Sequence, residues 1–99
     1  MGLRKDNNDT MIERQITIIN KLGLHARAAT KFANVAKAHS SSIEVVFGDK
    51  NIDGKSIMGL MLLAAARGSE IVLRVQGADQ EQAMAALVEL INNRFDEEE

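Results

Sequence analysis

Ile16-Thr17-Ile18-Ile19-Asn20-Lys21-Leu22-Gly23-Leu24-His25-Ala26-Arg27-Ala28-Ala29-Thr30 is the stretch where one periodicity replaces another. Just before and into it, Ile12, Arg14, Ile16 and Ile18 fall on one face of a strand, with Glu13, Gln15, Thr17 and Ile19 on the other. The Ile16-Thr17-Ile18 core has the alternation of a half-buried strand. Asn20 to Gly23 reads as a turn. From there the apolar residues recur at helical spacing, at Ala29, Phe32, Ala33 and Ala36. A helix is expected from about Ala26 to Ala38, with Lys31, Asn34 and Lys37 on its outer face. His25 then falls at or beside its first residue.

That position has a chemistry. The first N–H groups of a helix lack partners inside it, and together with the helix dipole they attract anions. An imidazole nitrogen aimed at those groups is an acceptor, hence unprotonated and nucleophilic. A phosphoryl group placed on it would find the same N–H groups ready for its oxygens. Arg27 adds a cation suited to phosphate. The residues taken alone fit a reversible phosphohistidine, but they fit an ordinary helix-start histidine beside a solvated arginine better.

The wording of the stretch separates the two. Leu22-Gly23-Leu24-His25-Ala26-Arg27-Ala28 resembles the active-site signature of the HPr family, the histidine phosphocarriers of the bacterial phosphotransferase system. Gly54-Lys55-Ser56-Ile57-Met58-Gly59-Leu60-Met61 resembles that family's regulatory-serine segment, at the matching separation. The resemblance runs from about Met11 to Glu97. One departure stands out: the commonest form of the signature has proline where this chain has Ala28. Proline suits a first helical turn, but alanine is a good helix former and keeps a donor within reach of a phosphoryl oxygen. The helix and the chemistry are expected to survive the change.

Composition narrows the classes. The chain has 99 residues, 45% of them hydrophobic, enough for one small domain with its own core. It has no cysteine, so no disulfide framework and no thiolate metal site. A formal net charge of −2 and three aromatics, all Phe, argue against a nucleic-acid partner. No run approaches the roughly 18 apolar residues of a membrane span, and the N-terminus lacks a signal-peptide core, so a cytoplasmic protein is expected. His25 and His39 lie 14 positions apart, about 20 Å along a helix, and are not expected to share a metal ion. No metal and no cofactor is expected.

Along the rest of the chain, residues 1–10 read as a flexible tail, and 11–99 as the domain. His39 and Ser40 to Ser42 close the first helix, with His39 at the surface. Ile43 to Phe47 is a β-branched strand, and Lys50 to Asp53 a short one after the Gly48-Asp49 turn. Ser56 looks like an N-cap, whether or not it is also regulatory, and the helix after it is expected to reach Arg67, with Gly68 as its stop. That helix is apolar nearly all round. Ile57, Met58 and Met61 share one side, as core or as a docking patch. Glu70 to Gln76 alternates as a fourth strand. Asp79 with Gln82 resembles a capping box opening the last helix, whose stripe is Ala83, Met84, Leu87, Leu90 and Ile91. The acidic residues after Phe95 suggest solubility or weak electrostatics.

The order strand, helix, strand, strand, helix, strand, helix favours an α+β fold. An open-faced sandwich is expected, a four-stranded antiparallel sheet with three helices on one face. The HPr resemblance implies the same architecture. It also implies a phosphoryl carrier rather than an enzyme in its own right, loaded on His25 Nδ1 by enzyme I and unloaded onto a histidine of an EIIA-type protein. Arg27 would neutralise charge, with Ala26 and Ala28 in the supporting turn. The patch of Ile57, Met58 and Met61 would dock partners, and a serine kinase would act on Ser56. Ala28 and the acidic tail resemble the nitrogen-related branch, the NPr proteins. The alternatives are a sugar-uptake HPr and a regulatory binding module on the HPr scaffold. A monomer is expected.

Overall fold

The computed structural model describes residues 10–99. The expected tail, apart from Thr10, lies outside the described residues. The elements run β1 (Ile12–Thr17), α1 (Ala26–Lys37), β2 (Ser42–Phe47), β3 (Lys50–Asp53), α2 (Ile57–Leu63), β4 (Glu70–Gln76) and α3 (Gln80–Asn92), then a 3-10 turn, Arg94–Asp96. The sheet is antiparallel throughout, in the order β1-β4-β2-β3. The α+β open-faced sandwich expected from the sequence is the fold.

Alternation explains why each strand lies where it does. In β4, Ile71, Leu73 and Val75 are buried while Val72 and Arg74 are partly exposed on the other face. Ile43 and Val45 of β2 point the same way, and Ile43↔Val75 and Val45↔Leu73 are register partners. Against this face pack Ala28, Ala29, Phe32, Ala33 and Ala36 of α1, Leu60 and Leu63 of α2, and Ala83, Met84, Leu87 and Ile91 of α3. The four small alanines of α1 let its backbone lie close to the core, and Phe32 fills the space between. Of the stripe expected on α3, Leu90 is only half-buried, and Val88 is buried in addition.

Two helix boundaries differ from expectation. α2 stops at Leu63, not near Arg67. Ala64 takes a left-handed conformation (φ 54°, ψ 36°) and closes the helix. The cause is tertiary. Ala65 is buried, and its carbonyl accepts the Leu24 N–H at 2.9 Å, which draws the chain out of the helix. Asp79 occupies the cap position of α3, but its side chain makes no capping bond. It accepts instead from the Ser40 and Ser41 amides, each at 3.0 Å, and from the Ser41 hydroxyl at 2.5 Å. The capping box with Gln82 is therefore absent. Gln80 takes part of its place, accepting the Gly77 N–H at 3.1 Å and donating to the Thr10 carbonyl at 2.8 Å.

Candidate functional site

The turn between β1 and α1 is held from below. Asn20 is fully buried, and its amide donates to the Gly23 carbonyl at 2.8 Å. Gly23 has φ +69°, and a Cβ there would lie 2.5 Å from the Ala65 carbonyl oxygen. Only glycine lets the two backbones come this close without strain. The Leu24-to-Ala65 hydrogen bond follows directly, and it fixes the residue before His25.

His25 is the N-cap of α1, in extended conformation (φ −77°, ψ −179°), and its carbonyl accepts the Ala29 N–H at 2.8 Å. The amides of Ala26, Arg27 and Ala28 precede that first intrahelical bond, so they have no partner within the helix. α1 has no acidic residue in its first turn. Its positive end is thus left uncompensated by its own side chains. Ala28 is buried and seats the turn on the core, while Ala26 and Arg27 are exposed.

The imidazole itself departs from expectation. It makes no capping hydrogen bond to the helix amides. Its Nε2 instead lies 2.5 Å from Oε2 of Glu97, which comes from the far end of the described chain. Nδ1 has no hydrogen-bond partner among the described residues. The His25 side chain is 29% exposed and that of Glu97 13%. The second Glu97 oxygen accepts the Asn20 amide at 3.0 Å. Burial pushes the Glu97 carboxyl up. The hydrogen bonds from Asn20 and His25, with the charges of His25 and Arg27, outweigh this and hold it below the usual carboxylate value.

The acidic segment is seated, contrary to the expectation of a merely solubilising tail. Phe95 is fully buried. Lys31 donates to its carbonyl at 3.0 Å and pairs with Asp96 at 3.8 Å. Arg94, Phe95 and Asp96 all have positive φ, 57°, 53° and 64°, a left-handed turn that redirects the chain toward His25. Lys21 donates its backbone N–H to the Glu99 carbonyl, and its ammonium lies 3.2 Å from the Glu99 carboxylate. Together Lys21, Leu22, His25, Ala26, Arg27, Glu97 and Glu99 line a surface cavity of about 670 Å³. An imidazole nitrogen without a partner among the described residues, an arginine and helix-start amides without partners in their helix thus share one concavity, an arrangement able to take and release an anionic group.

Ser56 caps α2, its hydroxyl accepting the Gly59 N–H at 2.9 Å. Of the three residues singled out on α2, Met58 is 71% and Met61 43% exposed, whereas Ile57 packs against the core. The structure adds Leu62, 70% exposed, and Leu22, 66%. Leu62 was hidden in a helix that reads as apolar on every side, and Leu22 as a lone leucine in a turn. Asn20 and Glu97 carried no local signal of their roles. His39 is half-buried, with Nδ1 2.9 Å from the Val35 carbonyl. Among the described residues no cluster of three or more His, Cys, Asp or Glu side chains could hold a metal ion, and no helix is long and apolar enough to cross a membrane.

Comparison with known proteins shows the family of the chain. Residues 12–93 match the family model described as the PTS HPr component phosphorylation site. The phosphocarrier protein HPr of Neisseria meningitidis serogroup B is 53% identical over 89 residues, covering 90% of this chain and all of the relative. The phosphocarrier protein NPr of Shewanella violacea is 44% identical over 88 residues, 89% of this chain and 97% of the relative. Among solved structures, HPr-C-His from Thermoanaerobacter tengcongensis superposes with a TM-score of 0.85 at 44% identity, covering 89% of this chain and 99% of the other.

Proposed function

This chain belongs to the HPr family of phosphocarrier proteins, and from that premise we propose that His25 is its phosphoryl-bearing residue, loaded at Nδ1 by phosphorylated enzyme I and unloaded onto an EIIA-type protein. One observation carries the reading: Nδ1 of a half-exposed histidine is left without a partner among the described residues, at an uncompensated helix start. The lone pair on Nδ1 forms the new P–N bond as the donor's P–N bond breaks, and the donor imidazole leaves with that electron pair. The Ala26, Arg27 and Ala28 amides, without partners in their helix, would support the phosphoryl oxygens, and the Arg27 guanidinium would offset their charge. A helix start contributes about 0.3–1 kcal/mol toward an anion. That orients the group without trapping it, which suits a carrier.

Met58 and Met61, with Ile57 beneath them, form the docking surface for successive partners. Leu62, one helical turn on from Met58, is exposed with them, and Leu22 lines the cavity beside His25. Ser56 is the regulatory position. A phosphoryl group there would place about two negative charges beside that apolar surface and repel acidic partners. A serine kinase and a matching phosphatase are the implied partners. The protein works as a cytoplasmic monomer and needs no cofactor. Ala28 and the acidic residues after Phe95 support a place in the nitrogen-related branch. The sugar-uptake role is the second reading, favoured by the higher identity to the relative named HPr.

The test uses purified full-length protein with enzyme I, magnesium and phosphoenolpyruvate. Intact mass should rise by one acid-labile phosphoryl group in the wild type and not in His25→Ala. A chase with nitrogen-type and sugar-type EIIA proteins then distinguishes the branches by which one drains the label faster. No gain from a proven enzyme I of the same organism would overturn the carrier reading and leave a binding module.

A further inference from the structure

We propose that Glu97 is a positioning residue for His25: it holds a proton on Nε2 and so leaves the Nδ1 lone pair to take the phosphoryl group. The inference rests on the carrier reading and adds a residue to its machinery.

Nε2 and a carboxylate oxygen at 2.5 Å form a hydrogen bond only if the proton sits between them. The carboxylate is an acceptor, so the neutral ring must be the Nε2–H tautomer. Left alone in water, a histidine ring exchanges between two tautomers, of which only this one can attack through Nδ1. The carboxylate is in turn fixed by separate contacts. Asn20, fully buried, holds its other oxygen. The buried Phe95 and the Lys31 contacts anchor the turn that delivers it. Arg27 lies near enough to help keep it ionised. Such a built position, made from three separate parts of the chain, is not what a merely solvated acidic tail would adopt.

The chemistry favours the pair in both directions. On loading, P–Nδ1 forms while the Nε2 proton stays in place. The ring then carries both a phosphoryl group and a proton and is cationic, opposite the Glu97 carboxylate. On unloading, the P–N bond breaks toward the acceptor, and the ring departs as neutral imidazole with its proton still on Nε2. A ring bare at Nε2 would have to depart as an imidazolate, a far poorer leaving group. One carboxylate therefore fixes the nucleophile and keeps the leaving group competent.

The experiment records nitrogen-15 spectra of the unphosphorylated full chain at alkaline pH, for wild type, Glu97→Ala and Glu97→Asp. His25 should be held as the Nε2–H tautomer in the wild type. It should relax to a mixture in Glu97→Ala and recover in part in Glu97→Asp. In transfer from phosphorylated enzyme I, Glu97→Ala should lower kcat by roughly tenfold with little change in KM, and Glu97→Asp should restore part of it. Unaltered tautomer populations in Glu97→Ala would overturn the proposal, and so would faster transfer, which would mark the segment as a lid. The tautomer readout needs no phosphotransfer. A wild type that enzyme I cannot load would therefore overturn the carrier reading and leave the Glu97 result standing on its own.

Discussion

At the start of α2 the Ser56 hydroxyl accepts the Gly59 N–H; at the start of α1 the residue in the same place, His25, makes no such bond. Both residues are extended, and both helices lack an acidic residue in the first turn. The difference lies in what each side chain is occupied with. Ser56 is turned inward onto its own helix, which closes that end locally. His25 is turned away from its helix and toward a carboxylate 72 positions further along. One end is complete within its own segment, and the other is completed by a distant one and remains open to a ligand. On the proposed reading, it is this redirected cap that leaves the start of α1 available for transfer.

Crossed substitutions would break this contrast most directly. His25→Ala should abolish acid-labile phosphorylation and cost about 1 kcal/mol of stability, from the lost Glu97 hydrogen bond and not from a helix cap; mass spectrometry and denaturant unfolding read the two effects. An equal loss when the same substitution is made in a Glu97→Ala background would mean that His25 is a structural cap after all. Gly23→Ala should be the most damaging to the fold near the site. The new Cβ meets the Ala65 carbonyl at 2.5 Å in a left-handed conformation, so a loss of about 1–3 kcal/mol is expected in urea unfolding. Ser56→Ala should lose about 1 kcal/mol of stability from its helix cap, while loading by enzyme I stays intact.

The third helix start gives the smallest effect and sharpens the comparison through pH. The Ser41 hydroxyl holds the Asp79 carboxyl down; burial opposes it, but the Ser40 and Ser41 amides and the His39 charge bring it to about 2 from an ordinary 3.8. A carboxyl lowered on folding contributes stability above its unfolded value, and that contribution is lost as pH falls through its folded one. Stability measured by denaturant should therefore decline between about pH 4 and pH 2, and Asp79→Asn should show a flatter dependence across that window.

Legibility in the sequence followed the range of the contacts involved. The strands, α1 and α3 were visible because burial repeats at period 2 or 3.6, a property each segment carries by itself. His25 and Arg27 were visible because their motif is contiguous. Where the reading failed, a remote partner had intervened. Ala64 ends α2 because Ala65 is bonded to Leu24. Asp79 leaves its helix because two serine amides 38 and 39 positions away receive it. The acidic residues after Phe95 read as solvated because nothing near them in sequence says that Phe95 is buried. The two exposed leucines were missed for the opposite reason. Exposure of an apolar side chain on a small domain has no pattern to announce it.

The place of β4 in the sheet has a consequence for how the molecule comes into being. β4 bonds to β1 on one side and β2 on the other, so it joins the two halves of the sheet, yet it is the last of the described strands in chain order. β1 therefore waits from residue 17 to residue 70 for the neighbour that fixes its register. Pairings so distant in sequence slow folding, because the loop must close before the contact repays it. During synthesis the nascent β1 and the β2–β3 hairpin are separate until β4 emerges. The proposed phosphoryl site shares that fate. Gly23 and Leu24 are fixed by Ala65, and Glu97 follows later still, so the site cannot be complete before Glu97 has emerged.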